Sequence, residues 1–165
     1  MTFSEITQVL HEHFGIDTFS VVNQKSPQPI LQVPASKLLD ICLFLANDDR
    51  LFFDYLACIT GIDNGPTTNT MEVIYHLTSI PYEHNLALKI VVERPANGEL
   101  PKVPSVASIW RTADWHERET YDLVGIFFEN HPDLRRILLP NDWVGYPLRK
   151  DYQEQELYHG IKVIY

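Results

Sequence analysis

Cysteine is scarce in this sequence: Cys42 and Cys58 stand alone, each inside an apolar run. No C-x-x-C pair exists, so the thiols offer no framework for zinc or an iron–sulfur cluster. Both read as reduced, buried cytosolic thiols, because free cysteine is among the most buried residue types. Long apolar runs are missing too. The longest near-apolar stretch, LLDICLFLA, is too short to span a bilayer and carries Asp40. The first residues, MTFSEITQVLHEHF, hold acids and lack a basic flank and a long apolar core, so they do not read as a signal peptide. Any membrane contact is expected to run through another chain. Positive charge is short: 13 Lys and Arg face 22 Asp and Glu, a net charge of -9. That excludes non-specific nucleic-acid binding and direct docking on anionic lipid. No G-x-S-x-G, P-loop or G-x-G-x-x-G is present. The sequence therefore offers no phosphate cradle, flavin site or activated nucleophile.

What is present fits one domain of 165 residues with a real core. Residues 4–14 read as a helix capped by Ser4 and closed by Gly15. Residues 18–22 and 29–33 read as short strands around a Pro-rich turn. PASKLLDICLFLAND is the clearest helix, with Leu38, Ile41, Cys42 and Leu45 on one face. Residues 51–62 read as a strand. MEVIYHLTSI alternates with a buried face of Met71, Val73, Tyr75 and Leu77, and LALKIVVE is its expected antiparallel partner. The order helix, two strands, helix, three strands predicts an α+β fold, a two-layer helix–sheet domain over residues 1–94. Residues 95–109 read as a Pro-rich linker with a short helix. Residues 110–165 read as an interface helix followed by an irregular, extended strap.

Residues 110–152 differ in character. They hold Trp110, Trp115 and Trp143, all the tryptophans in the chain. They hold five of the seven arginines (Arg111, Arg118, Arg135, Arg136, Arg149) but one of the six lysines, Lys150. Arg and Trp dominate interface hot spots, whereas Lys is costly to desolvate. The segment therefore suits burial against a partner or bracing against its own domain, and composition leaves both open. Eight acids balance its six basic residues, which favours ion pairs over phosphate binding.

Within it, ERETYDLVGIFF reads as a helix with Asp114 as cap, Glu117 in the capping-box position and Gly125 as the terminator. On a wheel at ~100° per residue, Leu123, Thr120, Val124 and Tyr121 form one side, with Glu117 inside that arc. Arg118, Asp122, Trp115 and Glu119 form the other. Arg118 and Asp122 stand at i,i+4, close enough to pair. Trp115 among three charges implies protein on both sides of the helix. Glu117 and Glu119 diverge by ~160°, so they are not an acid–base pair aimed at one substrate. His116 and Glu119 have metal-chelating spacing but no third ligand nearby, and His11 and His13 diverge. No catalytic, cofactor or metal residue is assigned. His131 reads as bonding the backbone of its own HPD turn.

The run WHERETYDLVGIFFENHPDLRRILLPNDWVGYPLRKDY closely resembles the thirty-kilodalton, or C, subunit of respiratory complex I, the proton-pumping NADH:quinone oxidoreductase. The matching residues are Glu117, Arg118, Glu119, Asp122 and Gly125, then His131, Pro132 and Leu134 to Leu138, then Pro147 to Asp151. Asn130 stands where the family commonly has glycine. The resemblance implies a non-catalytic, cofactor-free subunit of the peripheral arm, bracing the quinone-proximal module. Flavin and iron–sulfur clusters would lie in other subunits. The neighbours would be the forty-nine-kilodalton-type subunit and the twenty-kilodalton-type subunit. It implies a peripheral place on the cytoplasmic face of a bacterial inner membrane. The expected interface residues are Trp115, Arg118, Glu119, Asp122, His131, Arg135, Arg136, Arg149, Lys150 and Asp151. Two alternatives stay open: the matching subunit of a photosynthetic NDH-type complex or of an energy-converting hydrogenase. A free-standing hydrolase using Glu or His residues is a remote third.

Overall fold

Helix α1 runs Phe3–Phe14 in the computed structural model, which describes residues 1–22, 28–95 and 98–163. Its cap is Thr2, not Ser4. The Thr2 hydroxyl accepts the Glu5 amide, and the Glu5 carboxylate accepts the Thr2 amide. This reciprocal box satisfies two orphan donors. Ser4 has Thr7 three residues on, which offers no carboxylate to reach back. Gly15 ends the helix at φ 92°, its amide on the His11 carbonyl.

Strands β1 (Ser20–Val22) and β2 (Ile30–Gln32) pair antiparallel. The turn expected between them falls mostly on residues 23–27, outside those described. A short 3₁₀ turn at Ala35–Lys37 leads into α2, Leu38–Asn47. Leu38, Ile41, Cys42 and Leu45 are its buried residues, the face that helical spacing predicts. Burying each of Leu38, Ile41 and Leu45 is worth about 1.5–3 kcal/mol. Burial pushes the Cys42 thiol up, so it stays a neutral packing group. Cys58 departs from expectation and is half-buried, because it shares the outer face of its strand with exposed Thr60 while Ile59 turns inward.

Strands β3 (Tyr55–Asp63), β4 (Thr70–Ser79) and β5 (His84–Glu93) form an antiparallel meander. β2 joins β5 in parallel, so the sheet order among the described residues is β1-β2-β5-β4-β3. Met71, Val73, Tyr75 and Leu77 are buried as their alternation predicts, and pack in one core with α1 and α2. A bulge at Ala57 breaks the β3 ladder between Leu56 and Cys58. The Leu56 carbonyl there accepts the Thr112 hydroxyl at 2.8 Å.

The chain then forms β6 (Lys102–Pro104), where the composition reads as linker. β6 pairs in parallel with β7, Phe127–Glu129. Pro101 and Pro104 are tolerated because this two-stranded ladder needs no amide from either. The Pro101 carbonyl accepts the Phe127 amide, and the Ser105 amide donates to Glu129. Val103 and Val106 enter the same core as the sheet. A final hairpin, β8 (Leu157–Tyr158) and β9 (Ile161–Lys162), turns at His159 and Gly160, both with φ above zero.

Between β6 and β7 lies α3, Ala113–Val124, packed across β3 at the sheet's edge. Gly61 makes the close approach possible: a Cβ there would sit 2.5 Å from Thr120 Cγ2. Gly61→Ala is expected to lower stability by about 1–3 kcal/mol through overpacking. Adding Thr120→Ser should recover most of that loss in urea unfolding. No recovery would mean that the contact is not what sets the cost.

Candidate docking face

The charged stretch at the start of α3 does not sit as the wheel predicts. Thr112, not Asp114, holds the cap position; its hydroxyl is turned to the Leu56 carbonyl and caps no helix amide. Glu117 is fully buried and caps nothing. It accepts the Ser105 hydroxyl at 2.5 Å and the Val106 amide at 2.7 Å. Both donors come from the turn after β6, which reads as linker in the sequence. Burial pushes the Glu117 carboxyl up to about 7; the Ser105 and Val106 bonds pull it down and Asp114 pushes it up. The signal was available in the wheel itself, where Glu117 falls among apolar neighbours.

Asp122 is fully buried as well, although the wheel places it on the charged side. It does not pair with Arg118. Arg136 donates to its Oδ1 at 2.8 Å, and the amides of Ile137, Leu138 and Leu139 donate to its Oδ2 at 3.0, 2.7 and 2.9 Å. Arg136 wins over Arg118 because it makes further bonds at once, to the carbonyls of Asp122, Trp143 and Gly145. Burial pushes the Asp122 carboxyl up, but the Leu139 amide, the Arg136 guanidinium and the Leu138 and Ile137 amides outweigh it. The group lies below the ordinary carboxylate range.

The far end of the strap, residues 146–152, closes over the end of α3. Gly125 takes the left-handed conformation, φ 75°, that ends the helix. The Leu148 amide donates to the Leu123 carbonyl at 2.9 Å. Arg149 donates to the Val124 carbonyl at 2.7 Å and to the Gly125 carbonyl at 2.9 Å. A cation at the negative end of a helix is favourable. The Tyr146 ring has Arg149 4.5 Å from its centroid and Arg136 5.1 Å from it. Buried Asp63, at the end of β3, accepts the Lys150 amide at 2.9 Å and pairs with Arg94, which also pairs with Asp151. The Lys150 side chain lies over Gly65.

His131 is tied inward too. Its Nδ1 accepts the Asp133 amide at 3.0 Å, so Nε2 carries the proton and faces the Asp114 carbonyl at 3.1 Å. Asn130 has φ 63°, a conformation that Asn adopts more readily than most residues, so it can replace a glycine there.

Of the ten residues expected at an interface, Asp122, His131, Arg136, Arg149 and Asp151 are therefore engaged inside the chain, as is the Lys150 amide. The outward group is Trp115, Arg118, Glu119 and Arg135. Trp115 is 64% exposed, with Arg118 stacked 5.5 Å from its ring. Arg118 also donates to the Arg135 carbonyl at 3.2 Å, so these three residues are contiguous. Leu138, Val144 and Leu148 stand exposed along the strap. Nothing in their spacing marks them as outward, since an extended strap has no period. No helix among the described residues is long and apolar enough to cross a membrane.

Residues 31–157 match the family model of the respiratory-chain NADH dehydrogenase 30 Kd subunit. The C subunit of NADH-quinone oxidoreductase from Chloroherpeton thalassium is 47% identical over 96% of this chain, which spans 64% of that protein's length. The corresponding protein of Chlorobium phaeobacteroides is 43% identical over 95% of this chain and 92% of its own. A trypsin-resistant fragment of Nqo5 superposes with a TM-score of 0.62 at 28% identity, covering 78% of this chain and 98% of the fragment. A chain of the archaeal membrane-bound sulfane sulfur reductase shares the fold, with a TM-score of 0.74 at 23% identity over 91% of this chain and 85% of its own. On the match over residues 31–157, which contains the whole Asp122 and Asp63 clasp, this chain belongs to the family of the respiratory-chain NADH dehydrogenase 30 Kd subunit.

Proposed function

We propose that this chain is a structural subunit of the peripheral arm of a proton-translocating NADH:quinone oxidoreductase. It braces the quinone-proximal module, between the forty-nine-kilodalton-type and twenty-kilodalton-type subunits. Electrons pass from NADH to quinone through flavin and iron–sulfur clusters held by those and other subunits, not by this one. Its membrane association is indirect, on the cytoplasmic face.

The observation that carries this reading is the division of labour in residues 110–152. The ionic residues fold the segment back on its own domain. That leaves a tryptophan, two arginines and an apolar series turned outward on a fixed backbone. An exposed Trp stacked with Arg is the chemistry of an interface hot spot. The NADH-linked relatives, at 43% and 47% identity, favour this assembly over a photosynthetic or hydrogenase relative.

Trp115→Ala combined with Arg118→Ala tests it. Both side chains are outward, so the thermal midpoint of the isolated chain should hold. Recovery of the variant in the purified membrane complex should fall by thirtyfold or so, the equivalent of losing a ~2 kcal/mol hot spot. Mass spectrometry of the co-purified subunits names the assembly. Undiminished recovery, or an assembly without NADH-binding subunits, would overturn the reading.

A further inference from the structure

A second outward patch lies where β3 begins, formed by the turn after α2 and the β4–β5 hairpin. Phe52, Tyr55, Ile80 and Tyr82 are all exposed there. They form one surface: the Phe52 and Tyr82 rings lie 6.4 Å apart, and Tyr82 donates to the Asp49 carbonyl at 2.9 Å. The Ile80 amide donates to Asp54 Oδ1 at 2.9 Å. The two loops are thus cross-tied, and the apolar side chains are presented by a backbone with little freedom.

Phe52 carries a further mark. Its φ is 38°, a left-handed conformation in which a bulky residue is strained. The surroundings enforce it. The Phe52 amide bonds to Asp48, the neighbouring Phe53 amide to Leu45, and buried His84 holds the Leu51 carbonyl at 2.7 Å. Burial holds His84 below its ordinary range, so it stays a neutral clamp there. Apart from its edge contact with Tyr82, the Phe52 ring is turned outward on this strained backbone.

The charges around the patch select what covers it. Asp48, Asp49, Asp54 and Glu83 border it; Arg50 is tied to Asp48, and the N-terminal ammonium lies beside His84. The rim is net acidic. An anionic bilayer or a nucleic acid would be repelled. A second copy would set the same acids face to face across a two-fold axis. We propose that this patch is a second docking surface, fitted to a protein whose apolar contact centre is ringed by Lys and Arg. The proposal stands on this patch alone and goes beyond the subunit reading.

The test places the photo-crosslinker p-benzoylphenylalanine at Ile80 of the full chain in its native membranes. The expected product joins a different polypeptide, at a peptide carrying Lys or Arg beside apolar residues. The pair Asp49→Lys and Glu83→Lys should cut that product by about tenfold or more, as like charges then meet. Phe52→Gly should cut it too, while leaving the melting temperature equal or higher, because glycine accepts the left-handed conformation. No crosslink, a crosslink to a second copy or to lipid, a peptide without basic residues, or a yield indifferent to charge reversal would each overturn the proposal. Which subunits the purified complex holds is read separately, so failure here and failure of the subunit reading are distinguishable.

Discussion

Asp122→Ala is expected to lower the unfolding free energy by about 3–5 kcal/mol, the usual effect of removing one partner from a buried pair. The loss has two parts. Arg136 is left as an uncompensated, largely buried cation, and three consecutive amides, Ile137 to Leu139, lose their shared acceptor. The second part is local. Hydrogen exchange at those amides should accelerate strongly before global unfolding. Because the Asp122 carboxyl lies below the ordinary range, its contribution is complete at neutral pH and is lost only as pH falls into the acid carboxylate range. Urea unfolding at pH 7 is the measurement. A loss under about 1 kcal/mol would show that the strap is held elsewhere.

Glu117→Gln should do the opposite at neutral and alkaline pH. The folded carboxyl titrates at about 7 and its reference value is 4.5, so between those values the folded state binds more protons than the unfolded chain. Stability from this group is therefore full below 4.5 and declines as pH rises toward 7. The total change is about 3 kcal/mol, since each unit corresponds to about 1.4. Glutamine mimics the protonated acid: its carbonyl can accept the Val106 amide and its amide can donate to Ser105. The variant should match the wild type near pH 4.5 and exceed it above pH 7. His84, held below its ordinary value by burial, contributes the opposite slope in the same window. The difference between the two stability curves cancels it. A flat difference from pH 4.5 to 8 would show that the buried carboxyl is ionised throughout.

These two acids also mark where sequence reasoning stops. The buried faces of α2 and β4 are legible because their periods are local: Ile41 and Leu45, or Val73 and Tyr75, report on each other along the chain. The partners of Glu117 and Asp122 do not. Glu117 meets Ser105 and Val106, eleven or twelve residues back in a stretch whose prolines read as linker. Asp122 meets Arg136 across a loop, and helical spacing offers Arg118 first. The strand Lys102–Pro104 escapes notice for a related reason, since its parallel partner follows a whole helix later. The motif residues were legible as a gripping set. Which of them grip their own domain, and which face outward, depends on the strap's path, and no periodicity encodes that path.

The Asp63 contact has a consequence in time. Its carboxylate leaves the ribosome 87 residues before the Lys150 amide that bonds it. Arg94 waits 57 residues for Asp151. Loops of that length close late, after the local hairpins and helices have formed. The sheet is therefore expected to mature before Asp63 and Arg94 meet the strap, with the clasp as a final event. Weakening it should speed unfolding and leave the rate of folding nearly untouched, which stopped-flow urea kinetics would read. The strap thus acts as a brake on unfolding, set after the rest of the domain is built.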